Sequence, residues 1–354
     1  MEARDVKIAL LHPRTGAAGI WTPTIEAAAM VGGAELNAAG GIRGEEIELL
    51  FADSGMNVRD ALAAADTLID IEGVDAVIGA HTSDLRDPVS DSIGSRVPFI
   101  YTSQYEGIPV RPDTLALSTT DPEIMWPALE WLKSERRAER YFFVGNDYIW
   151  PRTAYSSLCK LVRRQGGEVR GSAFLPLVEA DHHELLRRIA ASGANVVVQA
   201  LVGNCAIDFN RQFAAAGLDQ KMLRFALIVD EIVVLGIGAD ATDNLISASS
   251  YFAQARNRQN DRFLELYHDA YGEFAPPVCA AGVGVYEGLH ALAALARDYG
   301  TNAPGTLARL MRGPLSRPAA RHALANKPMG EIPPIYMAEA DGVTLQVTRE
   351  IRSY

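Results

Sequence analysis

Short apolar runs alternate with helical patterns along this chain, and they do so in two successive series. In the first series, the runs of strand length are residues 6–11, 47–52, 74–79 and 99–102, with a helix predicted at about residues 87–95 and an extended segment at 116–119. In the second series, they are residues 141–144, 170–174, 196–200 and 223–229. A strand followed by a helix and another strand is the pattern of a parallel sheet covered by helices. The sequence therefore predicts an α/β fold of two Rossmann-like lobes with parallel sheets.

The length of the chain agrees with two domains. At 354 residues it exceeds the size at which a single hydrophobic core usually stops growing. We predict an N-terminal lobe from residues 1–120 plus 253–325 and a C-terminal lobe from residues 121–252 plus 326–354. Because small-molecule sites concentrate between domains, we expect a ligand cleft between the two lobes.

The C-terminal part of the chain returns to helical patterns and then to alternation. Helical patterns at residues 261–271, 282–298 and 304–312 have too few accompanying strands for a third sheet, so we expect them to pack on the first lobe. Residues 332–347 alternate between polar and apolar around an Ala-Asp-Gly turn at residues 340–342. Such a turn predicts a β-hairpin, which we expect to cover the second lobe.

Composition excludes several classes of partner and site. The formal net charge is −11, whereas nucleic-acid-binding proteins carry basic faces that displace counterions, so no direct nucleic-acid partner is expected. No run approaches the roughly 18 apolar residues that a membrane helix needs. Cys159, Cys205 and Cys279 lie far apart without Cys-x-x-Cys spacing, which excludes a standard zinc or redox motif.

Sequence motifs of catalysis are also missing. The chain has no Gly-x-Ser-x-Gly elbow, no Gly-x-x-x-x-Gly-Lys phosphate loop and no His-Glu-x-x-His pair. Gly282 and Gly284 lie inside a helical pattern with no strand before it, so they do not form a dinucleotide fingerprint. His182 and His183 are adjacent and would point about 100° apart on a helix, which does not suit one metal ion. We therefore predict a binding protein rather than an enzyme, without a cofactor or metal.

Aromatic and hydroxyl side chains follow two of the predicted strands. Residues 99–107 read Phe-Ile-Tyr-Thr-Ser-Gln-Tyr-Glu-Gly, and residues 142–153 carry Asp147 and Tyr148 in a turn between a strand and a helix. Open α/β sheets bind ligands beyond the carboxyl ends of their strands. Tyr148 is therefore a candidate ligand contact rather than a core residue.

Four segments resemble a known family. They are Leu-Asn-Ala-Ala-Gly-Gly-Ile-Arg-Gly at residues 36–44, Tyr-Glu-Gly at 105–107, Asp-Tyr-Ile-Trp-Pro-Arg at 147–152 and Leu-Val-Gly at 201–203. Through them the chain resembles type I periplasmic binding proteins of the branched-chain amino-acid class over nearly its whole length. Within that class it resembles the amide- and urea-binding group, which includes the amide-sensing negative regulator of the aliphatic amidase operon and urea-binding proteins of ABC transporters.

The resemblance implies the type I periplasmic binding protein fold, in which two lobes joined by a three-crossing hinge close on a small ligand. Such a clamp responds to its ligand because the ligand binds the closed form more tightly. Carried over position by position, the resemblance implies that Ser83, Tyr101, Ser103 and Tyr148 contact the ligand. Two of these residues have structural alternatives, Ser83 as the cap of the following helix and Tyr101 as a buried strand residue.

Four further residues at the implied site bear on the choice of ligand. His81, Gln104 and Val229 stand where the amidase regulator has other residues, and Asp230 lies beside Val229. These differences exchange one set of polar and stacking groups for another, so the resemblance does not transfer acetamide as the ligand. His81 and Gln104, with Asp230 close by, are expected to suit a larger or more polar ligand than a simple amide.

Two functions follow from the resemblance. In the first, which the sequence favours, a cytoplasmic ligand sensor holds an RNA-binding antiterminator regulator inactive and so represses amide utilisation. In the second, an exported protein delivers urea, a short-chain amide or a branched-chain amino acid to the permease of an ABC transporter. The protein is cytoplasmic if Met1 is the native start, and periplasmic if a signal peptide has been removed. Exposed helices of the first lobe are candidates for a homodimer contact.

Overall fold

The computed structural model describes residues 5–111, 114–178, 180–306 and 334–351, and these residues form two compact units. The first unit comprises the described residues of Met1–Gln104, Ile108–Ser118 and Arg256–Pro333. The second comprises those of Tyr105–Gly107, Thr119–Ala255 and Pro334–Tyr354. The lobe boundaries and the ligand cleft of the sequence analysis stay predictions.

Strands and helices alternate along most of the described chain. The strands are β1 (Val6–His12), β2 (Ile47–Asp53), β3 (Ala76–Gly79), β4 (Phe99–Tyr101), β5 (Thr114–Ala116), β6 (Arg140–Asn146), β7 (Glu168–Leu175), β8 (Val196–Ala200), β9 (Leu223–Ala226), β10 (Leu245–Ser249), β11 (Ile335–Asp341) and β12 (Thr344–Ile351). The helices are α1 (Thr22–Ala38), α2 (Val58–Asp66), α3 (Ser83–Ile93), α4 (Asp121–Arg136), α5 (Ile149–Arg164), α6 (His183–Ala191), α7 (Gly203–Ala215), α8 (Glu231–Ile237), α9 (Arg258–Tyr271) and α10 (Ala280–Tyr299). Within the ranges that the structure describes, no helix has both the length and the apolar content to span a bilayer.

The first unit is a parallel sheet flanked by helices. Its strands pair in the order β2-β1-β3-β4-β5, and every pair is parallel. Alternate strand residues such as Ile8, Leu10 and Ile78 share one buried cluster with Ile25 of α1 and Leu289 of α10. Full burial of such an aliphatic side chain contributes about 1.5–3 kcal/mol. The helical patterns after the second series of strands therefore return to the first sheet, where α10 packs on α1.

The close approach of α1 to α10 depends on small residues. A Cβ atom added at Gly32 would lie 3.1 Å from the Cδ1 atom of Leu289 and 3.2 Å from the Cδ2 atom of Tyr286. Larger side chains at this point of α1 would push the two helices apart. Pro23 occupies the first turn of α1, where its missing N–H costs nothing. The helix ends before Gly40, whose φ of +95° suits glycine.

The second unit also contains a sheet that is mostly parallel. Its strands follow the order β12-β11-β10-β9-β8-β6-β7, and β6 to β10 pair in parallel. All five residues of β8 are buried, as expected for a central strand covered on both faces. The prediction of strand 196–200 is therefore confirmed to the residue.

A C-terminal hairpin extends this second sheet. β11 and β12 are antiparallel, with Asp341 opposite Thr344, and β11 pairs antiparallel with β10. Gly342 in the two-residue loop has a φ of +58°, a conformation that glycine adopts without strain. The predicted hairpin is confirmed, and its second strand runs further than expected, to Ile351.

Some predicted boundaries are wrong. Helix α3 begins at Ser83 rather than at Asp87. Pro88 was expected in the first turn of the helix, where proline is common, but it lies further inside. Strand β9 ends at Ala226, so Val229 lies in the loop after it. The strand expected at residues 116–119 occurs at Thr114–Ala116. Most of the helix predicted at residues 304–312 lies outside the described residues.

Candidate functional site

In the first unit, the predicted site residues lie where β3 and β4 end. All strands of this sheet are parallel, so their carboxyl ends meet at one edge. His81 and Ser83 follow β3, Tyr101 is the last residue of β4, and Ser103 and Gln104 lie two and three residues after it. Gly79 of β3 pairs with Tyr101 of β4, which brings the two strand ends side by side.

His81 is a buried residue held on two sides by aromatic rings. Its ring stacks on Phe99 at a centroid distance of 6.2 Å and lies 5.4 Å from the ring of Tyr101. Its Nδ1 atom is 3.1 Å from the backbone oxygen of Thr82, whereas its Nε2 atom is buried without a hydrogen-bond partner. Burial lowers the pKa of His81 to about 4, so the imidazole is neutral near pH 7.

Ser83 does not cap the helix that it begins. The N-cap residue of α3 is Thr82, and no side chain makes a capping hydrogen bond there. Ser83 is only 5% exposed, and its Oγ atom is buried without a hydrogen-bond partner. Because an unpaired buried hydroxyl costs free energy, this atom needs an explanation that the described chain does not supply. The predicted ligand contact would provide one.

Tyr101 is fully buried, and its hydroxyl donates a hydrogen bond of 2.7 Å to the backbone oxygen of His81. The guanidinium carbon of Arg86 lies 5.7 Å from the centre of its ring. Tyr101 thus holds the backbone of the turn at His81 in place. Ser103 and Gln104 are half-buried. A ligand contact by any of these three predicted residues stays a prediction.

His12, at the end of β1, is a buried polar residue that sequence reasoning missed. Its Nε2 atom lies 3.3 Å from the Oε1 atom of Glu26, and Arg14 donates to the same oxygen. Burial lowers the pKa of His12. The available signal was a histidine in the last position of a mostly apolar strand, directly at the edge where ligands bind.

In the second unit, Asn146 joins three strand ends. It is the last residue of β6 and fully buried. Its amide group donates to the backbone oxygen of Pro176 at 3.0 Å and accepts from the backbone N–H of Val202 at 2.8 Å. The ends of β6, β7 and β8 are therefore held together by one side chain. Sequence reasoning read this residue only as part of a turn.

Tyr148 lies two residues after Asn146 and is half-buried as the N-cap residue of α5. Its ring lies 6.1 Å from the ring of Trp150 at an angle of 42°. The Nε1 atom of Trp150 is buried without a hydrogen-bond partner. Trp150, which was not selected from the sequence, is thus a further polar candidate beside the predicted Tyr148.

Val229 and Asp230 have evident structural roles. Val229 is buried, and its backbone oxygen accepts from the hydroxyl of Ser247 at 2.6 Å. The side chain of Asp230 caps α8 by accepting from the backbone N–H groups of Ile232 and Val233 at 3.1 and 3.0 Å. Both residues lie beyond the carboxyl end of β9, and their contact with a ligand stays a prediction.

Glu231, next to this cap, is an acid that sequence reasoning missed. Its Oε1 atom accepts from the backbone N–H of Ala253 at 2.6 Å, and its Oε2 atom is buried without a hydrogen-bond partner. Burial, together with the charge of Asp230, raises the pKa of Glu231 to about 8. This carboxyl group can exist in either protonation state near neutral pH.

These groups suit binding better than catalysis. The unpartnered atoms of His81 and Ser83 show that the two side chains are not hydrogen-bonded to each other, so they do not form a nucleophile and base pair. Across the part of the chain that the structure describes, no three His, Cys, Asp or Glu side chains are grouped as metal ligands would be.

Comparisons with known proteins agree with this picture. The chain matches a family described as "Periplasmic binding protein" over residues 5–328. It is 36% identical over 87 residues to an amino acid binding protein of Pseudomonas aeruginosa, a match that covers 25% of this chain and 23% of that protein. The structure of a leucine binding protein from Thermotoga maritima has a TM-score of 0.83, 18% identity and coverage of 98% of this chain and 99% of the other. A solute binding protein of an R. palustris ABC transporter, in complex with 4-hydroxybenzoate, has a TM-score of 0.82, 18% identity and coverage of 99% and 97%.

These matches differ in what they establish. At 18% identity the two structures show the fold alone, and this confirms the predicted α/β fold with two units. The chain spans about a quarter of the length of the curated relatives that it matches. The family match is broader, since it takes in most of the chain, and it confirms a binding protein rather than an enzyme. The chain belongs to the periplasmic binding protein family.

Proposed function

We propose that the chain is the solute-binding component of an ABC transporter. Its partner is a membrane permease, its location is the periplasm, and its ligand is a small uncharged or zwitterionic solute of the amide, urea or amino-acid kind. The family match over residues 5–328 carries this proposal. The relatives add support, because one is described as an amino acid binding protein and another as the solute binding protein of a transporter.

The amide sensor, which the sequence favoured, receives less support. If the chain were such a sensor, we would expect regulators among its relatives. The relatives reported above instead carry names of binding proteins for leucine, amino acids or an aromatic acid. The amide and urea group remains part of the proposal as a ligand class. An antiterminator partner does not, because none of the relatives reported above is described as a regulator.

Polar groups at the strand ends of each unit are the proposed ligand contacts. In the first unit they are His81 and Ser83, whose unpartnered atoms are the strongest support. In the second unit they are Tyr148 and the neighbouring Trp150. Tyr101, Ser103, Gln104, Val229 and Asp230 are proposed to shape and position these groups, since the bonds of Tyr101, Val229 and Asp230 hold the backbone of the same turns.

The size of the ligand limits its affinity. The best small ligands gain about 1.5 kcal/mol per non-hydrogen atom, so an amide of about four such atoms gains at most ~6 kcal/mol. That corresponds to a dissociation constant in the tens of micromolar. Submicromolar affinity, which suits capture for transport, requires a larger solute. A screen for the ligand therefore has to include larger amides, amino acids and aromatic acids.

A thermal-shift screen of amides, ureas, amino acids and hydroxybenzoates tests the proposal. A solute present at 100 times its dissociation constant should stabilise the protein by about 2.7 kcal/mol, which raises Tm measurably. Calorimetry should then give one site per chain, and the solute should be recovered unchanged. Loss of uptake of that solute in cells lacking the gene would support the transporter role. If no solute raises Tm, or if the solute is converted, the proposed function is wrong. If only hydroxybenzoates raise Tm, the proposed ligand class is wrong.

A further inference from the structure

The turn at residues 81–83 holds two buried polar atoms that the described chain leaves without hydrogen-bond partners. They are the Nε2 atom of His81, a residue that is 2% exposed, and the Oγ atom of Ser83, which is 5% exposed. Buried polar groups in folded proteins nearly always have partners, so two exceptions within three residues point to a bound molecule. The turn lies at the carboxyl end of β3, where ligands of parallel sheets bind.

The tautomer of His81 follows from its one hydrogen bond. Its Nδ1 atom is 3.1 Å from the backbone oxygen of Thr82. A carbonyl oxygen can only accept, so Nδ1 must carry the proton and donate it. In a neutral imidazole the other nitrogen is then an acceptor. Nε2 therefore presents a lone pair, and the group that satisfies it must bring a hydrogen.

The surroundings of His81 keep the ring neutral. Burial lowers its pKa to about 4, and the charges of Arg86 on α3 and of His12 on β1 act in the same direction. Phe99 and Tyr101 of β4 cover the ring and add no charge. Arg86 is itself paired with Asp87, whose Oδ1 atom accepts from its Nε atom at 3.0 Å. At pH 7, Nε2 is therefore unprotonated.

We propose that His81 is a specificity-determining residue: its Nε2 atom accepts a hydrogen bond from the ligand, and the ligand group at this turn is an amide, urea or hydroxyl donor rather than a carboxylate. This inference rests on the proposed binding function and narrows its ligand. The hydroxyl of Ser83 can complete the contact, because it donates to a carbonyl oxygen as readily as it accepts from an N–H group. A primary amide offers both groups side by side.

A carboxylate would fit this turn poorly. It has only acceptors, so its oxygens would face the Nε2 lone pair, or the complex would have to take up a proton from solution. Asp84, the second residue of α3, also has a buried carboxylate oxygen without a hydrogen-bond partner. Its negative charge adds to the disadvantage of an anion. Donor groups meet neither obstacle, and we expect their binding to be independent of pH near neutrality.

The first test is the tautomer, which needs no ligand. Long-range nitrogen-15 to proton spectra of the full chain distinguish a protonated ring nitrogen from a bare one. The His81→Gln variant identifies the His81 signals by their loss, and exposed His183, substituted in the same way, serves as the control. We expect Nδ1 protonated and Nε2 bare at pH 7. A protonated Nε2 would overturn the inference and leave the binding function untouched.

The second test compares matched amides and carboxylates by calorimetry, using acetamide with acetate and benzamide with benzoate. Each pair is titrated in phosphate and in Tris at pH 7.5, because the difference in heat between buffers counts the protons taken up. We expect the amide of at least one pair to bind tenfold or more tightly than its carboxylate, without proton uptake. In His81→Gln, whose amide can also donate, the preference should fall to threefold or less, whereas His183→Gln should keep it.

Three results would overturn the inference. They are a carboxylate that binds more tightly than its amide, a preference that survives in His81→Gln, and binding by none of the four probes. The wild-type measurements decide the matter even if His81→Gln does not fold. A failure here is distinct from failure of the proposed function, because the broader screen would still identify a different solute, such as an amino acid.

Discussion

The strand ends of the two units differ in what their polar side chains do. In the first unit, the predicted residues His81 and Ser83 carry unpartnered buried atoms. In the second unit, Asp230 and the missed Asn146 use their polar atoms to hold backbone. Unpartnered atoms there include those of Trp150 and Glu231, which the sequence did not single out. Unpartnered polar groups and scaffolding polar groups thus lie on neighbouring residues of the same turns, and resemblance alone does not separate them.

Removal of the Asn146 side chain should have the largest effect on stability. Asn146→Ala leaves the backbone oxygen of Pro176 and the N–H of Val202 without their bonds in a buried place. Since each unsatisfied group costs about 1–3 kcal/mol, we expect the free energy of unfolding to fall by about 3 kcal/mol. Urea denaturation measures it. Asn204→Ala, half-buried on α7, is the control and should change it by less than about 0.5 kcal/mol.

A small effect of Asn146→Ala on the free energy of unfolding would contradict the difference that we describe between the two units. If Asn146→Ala lowers the free energy of unfolding by less than about 1 kcal/mol and instead weakens ligand binding, then Asn146 belongs to the recognition groups rather than the scaffold.

The first unit also has a polar scaffold between its helices. The Oε2 atom of Glu35 on α1 accepts from Tyr286 at 2.6 Å and lies 3.0 Å from the Nε2 atom of His290, both on α10, while Arg262 of α9 contacts Oε1. Although burial acts to raise it, the hydrogen bonds from His290 and Tyr286 lower the pKa of Glu35 to about 2.

The sign of the pH dependence follows from this shift. The folded pKa of about 2 is below the ordinary value of 4.5, so the contribution of Glu35 is complete above about pH 4.5 and is lost as the pH falls towards 2. Glu35→Gln should lower the free energy of unfolding by about 2 kcal/mol at pH 7, and this deficit should shrink between pH 5 and pH 2. Glu265→Gln, exposed on α9, should show no such trend. A deficit that is constant with pH would contradict the assignment.

Tyr148 sharpens the comparison within the second unit. Tyr148→Phe removes only a hydroxyl from a half-buried ring, so we expect the affinity for the solute found by screening to fall by about 1 kcal/mol, or three- to tenfold. The Tm of the empty protein should stay nearly unchanged. Tyr155→Phe, whose ring packs on Phe143 and Phe174, is the matched control and should keep full affinity. Equal affinities for wild type and Tyr148→Phe would remove Tyr148 from the recognition groups.

Sequence patterns were sufficient to predict the fold. They were not sufficient to predict the role of each polar residue at the candidate site. The run at Val196–Ala200 was located to the residue because a continuous apolar strand buried on both faces leaves a plain signal. The start of α3 was misplaced because Pro88 usually marks a first turn, and here it lies deeper in the helix. Whether Ser83 caps that helix depends on backbone angles at Thr82, which its neighbours in sequence do not determine. The distinction between a cap and an unpartnered hydroxyl therefore appears only in three dimensions.

Substitution of Ser83 should have the smallest effect on stability. It is also the sharpest test of whether a polar group contacts the ligand or holds the backbone. Ser83→Ala removes an unpartnered buried oxygen, so the free energy of unfolding should stay the same or rise by up to about 1 kcal/mol, while ligand affinity falls. Ser90 is the matched control, because it lies on the same helix, is equally buried, and its Oγ atom is 2.5 Å from the Oγ1 atom of Thr114. Ser90→Ala should destabilise by about 1 kcal/mol without loss of affinity. If the two variants behave alike in urea denaturation, the hydroxyl of Ser83 has a partner in solution and is a scaffold group after all.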